Sequence, residues 1–189
     1  MATEAGATGR GRAWREAALR HITAAGDYRP YEGLVAEAAG EVGLGTERAA
    51  RLLARWRELR PWSEVPAVLA RLPVPLATAT NCPEALARTG VAALGTPFAV
   101  VVSAERAGAY KPDPRPYRLA LTELGLPPAR VLFVAGSAHD VIGALRVGMP
   151  TVWVNRLGLS VPPGATGAVV VPDLAGLPAL LARGDAPTE

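Results

Sequence analysis

The chain has 189 residues, 50% of them hydrophobic and only 5% aromatic, with a formal net charge of +3. That length accommodates one well-buried core and a small subdomain. The arginines are scattered among acids, with no basic run interleaved with aromatics, so the positive charge predicts a solvated surface and no nucleic-acid partner. The single cysteine, Cys82, excludes an internal disulfide framework and any multi-cysteine metal site. The simplest role for Cys82 is a small buried residue, the other a reactive thiol beside a site. With His21 and His139 the only imidazoles, no metal and no other cofactor is expected. The opening MATEAGATGRGRAW lacks the apolar run of a signal peptide and no later stretch reaches membrane-span length, so the expectation is a cytoplasmic protein without a membrane partner.

In chain order, residues 1–13 read as an N-terminal segment and residues 14–62 as a small helical unit. Leu34, Val35 and Ala38 fall on one helical face, and Ala49, Leu52, Leu53 and Trp56 recur at three- and four-residue steps. Thr46, after a glycine turn, is the predicted N-cap of the helix that follows. From residue 63 to 189 the period changes. PVPLATAT, FAVVVS, RVLFVAG, PTVWVN and GAVVVP are short, mostly continuous apolar runs, expected to be parallel strands buried on both faces. CPEALARTG, DPRPYRLALTELG and AHDVIGALRVG supply intervening helices. Alternating strand and helix predicts a Rossmann-like, doubly wound α/β sheet with right-handed crossovers.

Ligands of such sheets bind beyond the carboxyl ends of the strands. Those ends present Thr80 and Asn81, then Ser103, then Ala135, Gly136, Ser137 and Asp140, then Asn155 and Arg156, with Lys111 in the loop after the second strand. Lys111 is the only lysine in the chain; every other basic side chain except the histidines is arginine. An ammonium is a compact point charge where guanidinium is a broad fork, so a tight pocket facing a carboxylate or a leaving anion selects lysine.

These stretches resemble the haloacid dehalogenase superfamily, in its 2-haloacid dehalogenase branch, over residues 9–183. LRPWSEVPAVLARL is similar to that branch's return from helical cap to core, LATATN to its second motif, AYKPDPRPY to its lysine motif, and VLFVAGSAHDVIGALRVGMPTVWVNR to its fourth motif. VVVPDLAGLPALL stands where the last strand and helix are expected. The resemblance implies a small-molecule substrate and the following roles. Arg15 helps hold the departing halide, Thr80 binds the substrate's anionic group and Asn81 belongs to the halide site. Lys111 neutralises the nucleophilic aspartate, Tyr117 is the tyrosine of the lysine motif, and Asp140 positions the hydrolytic water.

The family opens with an apolar strand ending in the aspartate that attacks carbon or phosphorus. No segment of this sequence resembles it: Asp27, Asp113 and Asp173 do not end apolar runs at the required spacing. The expectation is a core without its first strand, completed by a second polypeptide or within a homodimer, or encoded upstream. Ala135 and Ser137 stand in place of a family serine and a water-binding asparagine, and Gly136 in place of the first carboxylate of the metal-dependent phosphatases, so phosphatase activity is not expected. Three functions follow as expectations. The first is displacement of an anionic leaving group by the substrate itself, as in ring closure, with Asp140 as base, Lys111 catalytic, and Arg15, Thr80, Asn81, Tyr117 and Ser137 binding. The second is a split dehalogenase-like hydrolase with the nucleophile on a partner chain. The third is a non-catalytic scaffold or regulatory subunit.

Overall fold

The computed structural model describes the backbone of residues 9–183. Residues 1–8, which carry most of the opening segment read above for targeting signals, and residues 184–189 lie outside the described residues. No helix among the described residues is long and apolar enough to cross a membrane.

Three helices come first: α1 (Arg10–Ala24), α2 (Tyr31–Glu41) and α3 (Thr46–Ala54). The first begins at Arg10, ahead of Trp14, because Ala13 N–H already bonds to the Gly9 carbonyl and Arg12 pairs with Glu16 one turn on at 2.9 Å. Trp14, Ala17, Val35, Ala38, Ala39, Leu44 and Ala49 form their shared core. The alanines let the helices approach closely around the indole, whose N–H donates to the Val35 carbonyl at 2.9 Å and so costs nothing to bury. Thr46 is not the N-cap expected from sequence but the first helical residue. Gly45 takes the cap, with φ of 69°, a left-handed backbone that a threonine would adopt only under strain.

After α4 (Val65–Leu69) come the predicted strands and crossover helices: β1 (Ala77–Thr80), α5 (Glu84–Ala92), β2 (Val100–Ser103), α6 (Ala104–Ala107), α7 (Pro114–Leu124), β3 (Phe133–Ala135), α8 (Ala138–Val147), β4 (Thr151–Val154), β5 (Val169–Val171) and α9 (Leu177–Arg183). All strand pairings are parallel, giving the expected α/β fold. The strands form two sheets, however: β1 with β2 in the register Ala77 to Val100, and β3–β4–β5 in the registers Phe133 to Thr151 and Val152 to Val169. The expectation of burial on both faces holds for β4 except Val154 and, apart from half-buried Val101, for β2. It fails for β1, half-buried along its whole length, and for Val134 and Val170, which are exposed. Among the described residues β1 and β3 each have a hydrogen-bonded neighbour on one side only.

Two contacts fasten the helices to the sheets. Ile22 and Leu34 pack with Ala104 and Tyr110, whose hydroxyl donates to the Arg29 carbonyl at 2.6 Å. Arg115 then joins the α1–α2 connection to the loop before α7, pairing with Asp27 at 2.8 Å and Asp113 at 3.0 Å while donating to the Gly108 carbonyl.

Leu34→Ala should lower unfolding free energy by about 3 kcal/mol, read from urea denaturation, because the side chain is fully buried at the join and a cavity remains. Acid stability should follow Asp113, whose carboxyl the hydrogen-bonding Arg115 guanidinium holds below its ordinary value. That contribution is fully present above the ordinary carboxylate range and disappears as pH falls through the lowered value. Urea midpoints measured against pH should therefore fall less steeply on the acid side for Asp113→Asn than for the parent.

Candidate active site

The carboxyl ends of β1 and β3 open on one cavity of about 350 Å³. Its polar floor comes from the sheets and its loops: Thr80, Asn81, Lys111, Ser137 and Asp140. Its far wall comes from the helices, with Arg15 beside Trp14, Tyr31, Leu52 and Trp56.

Lys111 is 8% exposed and is held at both ends. The Asn81 side-chain amide clasps its main chain, donating to the Lys111 carbonyl at 3.0 Å and accepting from the Lys111 N–H at 2.7 Å. The ammonium lies 3.1 Å from Asp140 Oδ1 and 5.6 Å from the centre of the Phe133 ring. A largely desolvated ammonium is tolerated because a carboxylate and an aromatic face replace its water.

Asp140 owes its position to the start of α8. Ser137 is the N-cap, its hydroxyl accepting from the Asp140 N–H at 3.3 Å. The helix therefore aims its positive end at the cavity and favours an anion there. Below it the Tyr117 hydroxyl donates to the Asp140 carbonyl at 3.2 Å. Burial, and secondarily the charge of Asp140, push the Tyr117 hydroxyl above its ordinary value, so it remains a donor. Gly143 makes room for that ring: a Cβ there would lie 2.4 Å from the Tyr117 hydroxyl oxygen.

Arg15, Thr80, Asn81, Lys111, Ser137 and Asp140 thus all line one cavity. Tyr117 does not; it is fully buried beneath the floor and supports Asp140 from behind. Ser103 caps α6 by accepting from the Arg106 N–H, and Asn155 closes its own turn by bonding to Leu159. Arg156 pairs with Glu64 and lies over the Trp62 ring, 4.0 Å from its centre. None of these three lines the cavity: Ser103 and Asn155 serve their own turns, as short polar side chains at strand ends commonly do, and Arg156 ties β4 to the segment before α4. Cys82 does line the cavity, but burial pushes its thiol up, so the protonated form dominates and a nucleophilic role loses support. Leu52 and Trp56 were legible only as helix-face residues and Tyr31 not at all; their place on the cavity wall depends on how the helices dock.

Among the described residues Asp140 is the one carboxylate on the cavity wall, and no group of three or more His, Cys, Asp and Glu is gathered to hold a metal ion. A Mg²⁺ ion relies on more oxygen ligands than that, so these residues do not fit the metal of the phosphatase branch.

Residues 4–148 match the profile described as haloacid dehalogenase-like hydrolase. The chain belongs to that family. It is 31% identical over 161 residues to (S)-2-haloacid dehalogenase H-109 of Pseudomonas putida, covering 78% of this chain and 72% of that enzyme. It is 40% identical over 105 residues to the (S)-2-haloacid dehalogenase of Pseudomonas sp. strain YL, covering 53% of this chain. That match spans 45% of the relative's length, less than half of it. The solved L-2-haloacid dehalogenase of Xanthobacter autotrophicus superposes with a TM-score of 0.78 at 27% identity, covering 97% of this chain and 91% of that one. The family's α/β core with parallel strands and its dehalogenase-like branch are therefore those of this chain.

Gly143→Ala should lower the thermal midpoint, at a cost of about 1 to 3 kcal/mol, because the new methyl must displace the Tyr117 ring that supports Asp140. Calorimetry of the variant beside the parent measures this directly.

Proposed function

We propose that this cavity displaces an anionic leaving group from carbon in a small organic acid. The observation that carries the reading is the convergence of Lys111, Arg15 and the positive end of α8 on one small cavity that, among the described residues, holds a single carboxylate, Asp140. Positive charge fixed in place before reaction stabilises the charge that develops on a departing anion. Thr80 and Ser137 offer hydroxyls to the substrate's own carboxylate. Asn81 acts through Lys111, since both ends of its amide are spent on that residue's main chain.

With the residues described, the displacing atom is an amine or hydroxyl of the substrate itself. Its new bond to carbon closes a small ring as the carbon–leaving-group bond breaks; the electron pair departs with the anion and Asp140 takes the proton. Ring closure needs little more from the protein than folding the substrate and binding both charges. A specific observation favours a second reading: the gap between β1 and β3 ends at Lys111 and Asp140. A carboxylate carried there on an added strand would attack the carbon as the leaving anion departs with its electron pair, and water would then hydrolyse the resulting ester to release the product and restore the carboxylate.

The relatives named as 2-haloacid dehalogenases make 2-haloalkanoates, with and without an internal amine, the first compounds to assay. Lys111→Met and Asp140→Asn should each lower kcat/KM for anion release by at least about a hundredfold. Unchanged turnover in both variants would sink the displacement reading and leave a scaffold role. In H₂¹⁸O, product without label supports ring closure, whereas label appearing first in a protein carboxylate supports the two-step hydrolysis.

A further inference from the structure

We propose that His139, as an imidazolium, is the charged partner of the substrate's carboxylate, so that the acid binds together with a proton. The inference rests on the displacement reading for its ligand, a small organic acid, and names a residue that the reading leaves unused.

His139 is the second residue of α8, two places on from Ser137, and its exposed side chain lines the active-site cavity. Among the described residues it has neither a hydrogen bond nor an ion pair, and the same is true of Arg15 on the far wall. Lys111, the remaining cation of the cavity, is already matched by Asp140. Two unmatched side chains that can carry positive charge are left, and an organic acid losing an anion presents two negative sites, its carboxylate and its leaving group. Position pairs them. Arg15 belongs to the helical wall, whereas His139 stands beside Ser137, whose hydroxyl accepts from the Asp140 N–H and keeps its own proton for a carboxylate. The positive end of α8 favours an anion at the same place. Hydroxyl, helix end and imidazolium then meet one group from one element.

An imidazole is the side chain that gains or loses its charge near neutrality, and an adjacent anion favours the charged form. The charged groups that share the cavity with His139 are Arg15 of α1, Lys111 of the loop before α7 and Asp140, its neighbour on α8. The other titratable groups on the wall, Tyr31 and Cys82, are pushed up by burial and stay neutral. Asp140 is committed to Lys111, so the counter-ion of an imidazolium has to be the incoming carboxylate. The proton therefore enters with the ligand. Binding should be tightest on the acid side of neutrality and weaken as pH rises through the imidazole range.

With only two histidines in the chain, the proton can be assigned by elimination. His21 lies off the cavity, held between Glu37 at 3.4 Å and Glu41 at 2.9 Å. The test titrates the 189-residue chain with 2-hydroxypropanoate, a carboxylate with no halide to lose, by calorimetry in buffers of different ionisation enthalpy, which counts the protons bound. The expected result is proton uptake at about pH 6.5 and affinity falling about tenfold between about pH 5.5 and 8. His139→Gln should bind without proton uptake and with the parent's high-pH affinity throughout, with an unchanged circular dichroism spectrum, whereas His21→Gln should behave as the parent. No saturable binding, binding without proton uptake, or uptake that survives in His139→Gln or disappears in His21→Gln would each overturn the proposal. Halide release from 2-haloalkanoates, followed alongside, separates the two readings. Release with pH-independent binding discards the role of His139 and leaves displacement standing; proton-linked binding with no release from any 2-haloalkanoate keeps His139 and sinks displacement.

Discussion

Burying one ammonium organises the centre of this molecule. Lys111 loses most of its water, and that loss is offset only if its main chain, its charge and its flank all find partners at once. Asn81, at the end of β1, holds the main chain; Asp140, in the first turn of α8, meets the charge; Phe133 of β3 covers the flank. A single cation therefore ties together elements of both sheets. Tyr117 and Gly143 extend the same constraint downward, since the depth of the tyrosine ring decides where the Asp140 carbonyl sits.

The helices supply what the sheet ends lack, an apolar wall. Trp14, Tyr31, Leu52 and Trp56 face a floor of hydroxyls, amide and charge, and a cavity with that division lowers the local dielectric around the charged groups. Electrostatic attraction strengthens as water is excluded, so Arg15 and Lys111 act on an anion more strongly there than on the open surface. Arg115 keeps the arrangement in register by holding Asp27 and Asp113 together across the join.

The division of the strands into two sheets belongs to the same picture. Lys111 and Asp140 line both the active-site cavity and the gap between β1 and β3. Packing and chemistry share residues at that point. β1 is half-buried along its length and Val134 is exposed, and among the described residues neither β1 nor β3 has a hydrogen-bonded neighbour on the side facing the gap.

Short apolar runs bounded by turn residues were enough to place every strand, and helical periodicity the main helices; runs such as VVVS and TVWV suit strands buried on both faces of a parallel sheet. The single lysine was visible as an anomaly of composition, and the order of the motifs around it identified the family. Strand-end position alone did not separate Thr80 and Ser137, which reach the cavity, from Ser103 and Asn155, which close their own turns. Those choices are made by hydrogen-bond partners distant in sequence or by local caps, neither of which leaves a periodic trace. The same holds for Tyr117: its motif marks it as important, but only the packing against α8 turns it from a wall residue into a support. What the sequence by itself determined was the order of elements and the chemical types brought to the strand ends. The tertiary structure decided which of them meet, because a buried charge is stable only where several separate segments converge on it.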